Sequence, residues 1–146
     1  MKILIIYDSV FGNTEKIARA IGGAVAGEVR VVQVSQADVT QLSPLEMLVI
    51  GAPTYGGRPR EPMQDFLKGI PEGALKNVKV AAFDTRLAGR FVKVFGFAAE
   101  KISENLTGKG GTLASPPEGF FVKGREGPLK EGELERAAAW AKNLVK

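Results

Sequence analysis

The sequence predicts an α/β fold, a doubly wound parallel sheet of five strands with helices on both faces. Three observations predict it. Short apolar or β-branched runs alternate along the chain with amphipathic stretches of helical period. Two of those runs, Ile3–Tyr7 and Met47–Ile50, are continuously apolar, as parallel strands covered on both faces must be. The chain of 146 residues shows no repeat, low-complexity tract or linker, so a single domain over residues 1–146 is expected.

The elements follow in order. Ile3–Tyr7 is the first strand. Thr14–Val25 is a helix, with Ile17, Ile21, Ala24 and Val25 on one stripe. Val29–Val34 is a β-branched second strand, and Met47–Ile50 a third that stops at Gly51-Ala52-Pro53. Pro62–Ile70 is a short helix that turns Met63, Phe66, Leu67 and Ile70 toward the sheet. Val78–Phe83 is the fourth strand. Phe91–Leu106 is a helix with Phe95, Ala98, Ala99 and Ile102 inward. Gly111–Ala114 and Gly119–Val122 are two parts of a last strand, because Ser115-Pro116-Pro117 cannot continue a central ladder. Phe120 and Phe121 point to opposite faces, both into core. Gly132–Val145 closes the chain as a helix carrying Leu134, Ala137, Ala138, Ala141 and Leu144 inward, with Trp140 as a packing anchor.

Composition narrows the chemistry. Apolar residues make up 45% and charged residues 25%, with mean hydropathy of zero, which suits a globular protein with a core. There is no cysteine and no histidine. Disulfides, thiolate or imidazole metal sites, cysteine nucleophiles and histidine-dependent triads are therefore excluded. These absences point redox, acyl-transfer or hydrolytic chemistry toward a cofactor. The apolar run after Lys2 ends at Asp8, too short for a secretory signal, and no stretch nears the roughly 18 apolar residues of a membrane span. A cytoplasmic location without membrane insertion is expected. Net charge is +4, split as −1 over residues 1–73 and +5 over residues 74–146. That balance favours acidic partners, but no run of five basic residues points to nucleic acid.

In doubly wound sheets, ligands sit beyond the carboxyl ends of the strands. The loops to weigh are therefore residues 8–14, 51–61 and 84–90. The first places hydroxyls at Ser9 and Thr14, an amide at Asn13 and the flexible Gly12 around a helix N-terminus, with Val10 and Phe11 between. Backbone N–H groups converge there and the helix dipole favours an anion, so a phosphate fits. Asn13 or Thr14 acting only as a helix cap is an equal alternative. Asp8 must point away from any phosphate. Neither GxxxxGK[ST] nor GxGxxG is present, which argues against a Walker-type NTPase and a tightly held nicotinamide dinucleotide. The second loop, Pro53-Thr54-Tyr55-Gly56-Gly57, offers a hydroxyl, a flat aromatic face and two glycines for close backbone approach. A receiver domain would need a phosphoacceptor Asp near Gly51-Ala52-Pro53, where there is none.

The stretch from Ile5 to Ala18 resembles the phosphate loop of the flavodoxin family, most nearly that of the flavin domains of flavodiiron proteins. Flavodoxins usually carry Thr/Ser-x-Thr-Gly-x-Thr; this chain keeps Ser9, Gly12 and Thr14 but has Phe11 for the middle Thr, so one phosphate hydroxyl is missing. The loop after Gly51 resembles the family's flavin-contacting turn. Asp84-Thr85-Arg86 and the stretch from Pro116 to Arg136 resemble a subgroup of flavodoxin-domain proteins.

The resemblance implies a flavodoxin-like three-layer sandwich of strand order 2-1-3-4-5 that binds FMN and shuttles electrons to a redox partner protein. Ser9, Val10, Phe11, Gly12, Asn13 and Thr14 would hold the phosphate. Pro53, Thr54, Tyr55, Gly56 and Gly57 would meet the ribityl chain and ring. Asp84, Thr85 and Arg86 would lie at the ring edge. Arg58, Arg60, Arg86, Arg90 and Lys93 lie on or beside two converging loops and would form a basic rim, which suits an acidic partner. This departs from the acidic rim that flavodoxins typically present. An FMN-dependent NAD(P)H or quinone reductase, or a binding module that has lost the flavin, are the alternatives. Absent histidine separates the chain from the iron domain of flavodiiron proteins.

Overall fold

Parallel strands form the centre of the molecule in the order Glu28–Gln33, Lys2–Tyr7, Met47–Pro53, Lys79–Leu87 and Thr112–Leu113, with Glu118–Val122 also paired to Lys79–Leu87. The computed structural model describes residues 1–88 and 96–146. The strands are β1 (Lys2–Tyr7), β2 (Glu28–Gln33), β3 (Met47–Pro53), β4 (Lys79–Leu87), β5 (Thr112–Leu113) and β6 (Glu118–Val122). The helices are α1 (Asn13–Ala24), α2 (Glu61–Lys68), α3 (Ala98–Gly108) and α4 (Glu133–Leu144). Two short 3₁₀ turns, Val34–Gln36 and Val39–Leu42, lead from β2 toward β3.

The sheet separates two apolar layers. Ile3, Ile5 and Tyr7 of β1 face α1 and α4, joining Ile17, Ile21, Ala137 and Trp140. Leu4 and Ile6 face the opposite way, toward Met63, Leu67, Ile102 and Leu106 of α2 and α3. Alternation along each central strand therefore buries both sets of side chains. Trp140 anchors its layer by edge-on packing with Phe83 and Phe120, ring centroids 6.2 and 5.9 Å away. Gly51 is required beside this cluster, because a Cβ there would run into the Phe83 ring.

Three expectations need correction. The fourth strand does not end at Phe83; it runs on through Asp84, Thr85 and Arg86 to Leu87, so these residues are strand rather than loop. Leu134 is exposed instead of inward, because the face of α4 that meets the sheet is the Ala137–Trp140–Ala141–Leu144 stripe. Phe121 is only half-buried, lying beneath Lys130, while Phe120 alone enters the core. The split last strand is present: β5 pairs with Lys79–Val80 and β6 with Phe83–Leu87. Helix α3 begins at Ala98. Phe91 and Phe95, expected in that helix, lie outside the described residues.

Candidate functional site

At the carboxyl ends of β1, β3 and β4 the chain leaves the sheet and opens a cleft with about 740 Å³ of empty space, part of it open to solvent. Its first wall begins where β1 stops. Asp8 donates its backbone N–H to Gly51 O at 3.0 Å and buries its carboxylate completely. That carboxylate accepts from Nε and Nη2 of the Arg60 guanidinium, at 2.9 and 2.7 Å. Asp8 is thereby turned from the cleft, and one arginine of the expected rim is spent on it.

Helix α1 then starts without a conventional cap. Gly12 occupies the N-cap position at φ 91°, a backbone region that only glycine enters cheaply, and no side chain caps from that position. Asn13 and Thr14 are inside the first turn and do not cap it. Asn13 donates through Nδ2 to Glu126 O at 3.2 Å, and the Thr14 hydroxyl lies 2.8 Å from that of Thr85. Ser9 assists from upstream, its Oγ accepting from the N–H of Gly12 at 3.1 Å and of Glu15 at 3.4 Å. Among the described residues the N–H groups of Val10, Phe11, Asn13 and Thr14 have no acceptor. Four backbone donors at a helix start, with the Ser9 O–H still free to donate, make a cradle for an anion.

The second wall follows β3. Thr54 donates its N–H to Thr85 O and accepts the N–H of Ala98 on its hydroxyl, both at 3.0 Å, joining this loop to the start of α3. Tyr55 and Arg58 exchange backbone bonds of 2.9 and 3.1 Å across Gly56 and Gly57. With φ of 57° and 80°, the two glycines form the tight hairpin turn that needs positive φ twice. Tyr55 is thus held on a rigid support at the cleft.

β4 supplies the floor. Asp84 is fully buried; Arg86 grips it at 2.7 and 2.8 Å, and the N–H of Ala99 donates to it at 2.9 Å. Burial pushes the Asp84 carboxyl above its ordinary value, while Arg86 and the Ala99 N–H pull it back. The Arg86 guanidinium also stacks 3.4 Å from the centre of the Phe97 ring and fills the space where Gly119 has no side chain.

Eleven of the fourteen expected residues line this one cleft; Gly12, Gly57 and Asp84 do not, acting through backbone shape or, for Asp84, through Arg86 and α3. Three of the five residues of the expected basic rim are described, and none of them stands as a free cation on this cleft. Arg60 and Arg86 are paired, Arg90 and Lys93 lie outside the described residues, and Arg58 lines a different cleft. Leu87, Val122 and Arg125 line the site and were missed. Arg125 was within reach of the rule already used: its loop leaves the carboxyl end of the last strand, beside the other loops. Val10, Phe11 and Leu87, all large apolar side chains left exposed, meet at this cleft, so it presents apolar surface next to its anion cradle.

Known proteins share this fold. A family model described as a flavodoxin domain matches residues 4–116. A flavodoxin from Synechocystis sp. (strain ATCC 27184 / PCC 6803 / Kazusa) is 34% identical over 115 residues, covering 74% of this chain and 67% of that protein. Oxidised Flavodoxin 2 from Bacillus cereus superposes with a TM-score of 0.84 at 24% identity, over 99% of this chain and 98% of its own. Rubredoxin oxygen:oxidoreductase from Desulfovibrio gigas gives 0.78 at 22% identity, matching 99% of this chain but only 35% of that one. The family model spans both principal walls of the cleft, from β1 past the start of α3, and the chain belongs to the flavodoxin family of FMN-binding electron-transfer flavoproteins.

Proposed function

We propose that the cleft seats FMN, with the phosphate in the cradle of Ser9–Thr14 and the ring against Tyr55, Phe11 and the end of β4. The observation that carries this reading is the set of four unpaired N–H groups at the start of α1, beside exposed apolar side chains. Such a site suits a ligand with an anion at one end and a flat apolar ring at the other. Phe11, which replaces a threonine hydroxyl, gives back an aromatic face on the same cleft. Bound there, FMN supplies the redox chemistry, accepting and returning electrons on its ring.

The protein's own residues bind and orient. Ser9 and the first turn of α1 neutralise the phosphate through donors rather than a buried cation. The Thr14–Thr85 hydroxyl contact ties the phosphate loop to β4, so the two ends of the site cannot drift apart. Arg125, lining the cleft from the loop that Asn13 holds at Glu126, adds positive charge near α1. No side chain is assigned proton transfer or nucleophilic attack. The family match favours an electron carrier over the reductase alternative. Its partner is read as an acidic protein, and its location as cytoplasmic; among the described residues no helix is long and apolar enough to cross a membrane.

Titration of purified protein with FMN tests the reading. The visible flavin bands should sharpen and shift and flavin fluorescence should fall, saturating at one FMN per chain. Unperturbed bands and fluorescence would sink it.

A further inference from the structure

A second cleft opens on the other side of the Tyr55–Arg58 hairpin, between α2 and α3, with about 950 Å³ of empty space. Gly56 lines both clefts, so the hairpin is their common wall. The charged side chains lining the second cleft are Arg58, Lys68 and Lys101, and none is acidic. None of the three cations has a carboxylate partner among the described residues. Lys101 reaches across to the carbonyl of Gly57 at 3.4 Å, carrying its charge to the hairpin. At the α3 side Asn105 lines the cleft, and its Oδ1 is buried with no hydrogen-bond partner among the described residues. A buried acceptor left without a donor is uncommon in folded proteins.

We propose that this cleft docks an acidic peptide segment of the electron-transfer partner. Carboxylates of the segment meet Arg58, Lys68 and Lys101. The Asn105 side-chain amide lines the same cleft and meets the segment's main chain. A single phosphate or carboxylate ion reaches one cation at a time, whereas an extended acidic peptide sets several carboxylates against all three. The position also serves electron transfer, since a segment seated here rests on the hairpin that walls the FMN site. Its role as an electron partner depends on the reading above; its binding depends only on this chain's own groups.

The test uses the FMN-loaded full chain and three probes: an acetylated hexaglutamate amide, the matching hexaglutamine, and tripolyphosphate. Hexaglutamate should move the Asn105 side-chain amide resonance, and hexaglutamine should not. Affinity for hexaglutamate should fall about tenfold in Lys68→Glu/Lys101→Glu and weaken as salt is raised. FMN titration of that variant should match the parent, which shows the fold and the first cleft intact. An unmoved Asn105 amide, or equal affinity in the double variant, overturns the proposal. So does tripolyphosphate shifting Asn105 as far as hexaglutamate does, which would make the cleft a small-polyanion site. If FMN fails to bind while hexaglutamate still moves Asn105, the electron-carrier reading falls and the docking site stands.

Discussion

Single residues at the cleft each solve one local problem, and their substitutions are correspondingly sharp. Gly12 turns the chain from β1 into α1 at positive φ, in open space, so a Cβ would meet backbone strain and no clash. Gly12→Ala should cost about 1–2 kcal/mol of stability in denaturant unfolding, and weaken FMN because the N–H cradle is re-aimed. Arg125 is exposed, so on the proposed seating of FMN it would make a screened charge contact with the phosphate. Arg125→Gln should raise the FMN dissociation constant by about tenfold at low salt. Riboflavin, which lacks the phosphate, should bind both proteins alike; equal loss for both ligands would place Arg125 against the ring. Arg60 and Arg86 show how far residue type alone can mislead. Both are basic and near the site, as the sequence suggested, yet each is bound to a fully buried aspartate. What the sequence cannot display is which carboxylate a distant guanidinium will find, and Asp8 meets Arg60 across 52 positions.

Elements were legible where one physical signal dominated. Ile3–Tyr7 and Met47–Ile50 had to be central strands because nothing polar interrupts them. The end of β4 was not legible, since Asp84-Thr85-Arg86 reads as loop until the Asp–Arg pair and the α3 N-terminus absorb its charge. Helix α4 shows the same effect at its start. Glu133 accepts the N–H of Phe121 at 2.7 Å and holds Arg136 at 2.6 Å, fastening α4 to β6. The Arg136 contact, with help from the Phe121 N–H, lowers the Glu133 carboxyl below its ordinary value of 4.5. A depressed carboxylate stabilises the fold above its unfolded pKa, and that stability is lost as pH falls through the folded value. Glu133→Gln should therefore cost about 1–3 kcal/mol at neutral pH, with the gap to the parent closing as pH falls below the ordinary carboxyl value and through the depressed one. Urea unfolding across that range reads it. Asp84 runs the other way: raised by burial, it weighs against the folded state as pH rises through its window.

For the whole molecule, the sequence made the strand order and the end of the sheet that carries the site readable, through the family resemblance and the switch-point rule. It could not show the second cleft, which is made by the packing of α2 against α3 and not by any motif. Binding to the folded state alone must stabilise the entire fold by mass action. FMN at about a hundred times its dissociation constant should add about 2.7 kcal/mol, raising the melting temperature by roughly 5–10 °C. A melting temperature independent of FMN would contradict a site built into the native structure.

The divided outer strand has a further consequence, for self-association. β4 is covered in two short lengths by β5 and β6, separated by Ser115-Pro116-Pro117. The outward side of β6 is itself occupied: Lys123 donates to Pro128 O at 2.8 Å, and Lys130 to Phe121 O at 2.9 Å. On this flank a second molecule would find a two-residue stub, a proline break and a strand already paired. No continuous rail of free amides is left on this flank for another chain's strand to zip onto, which disfavours edge-to-edge pairing there.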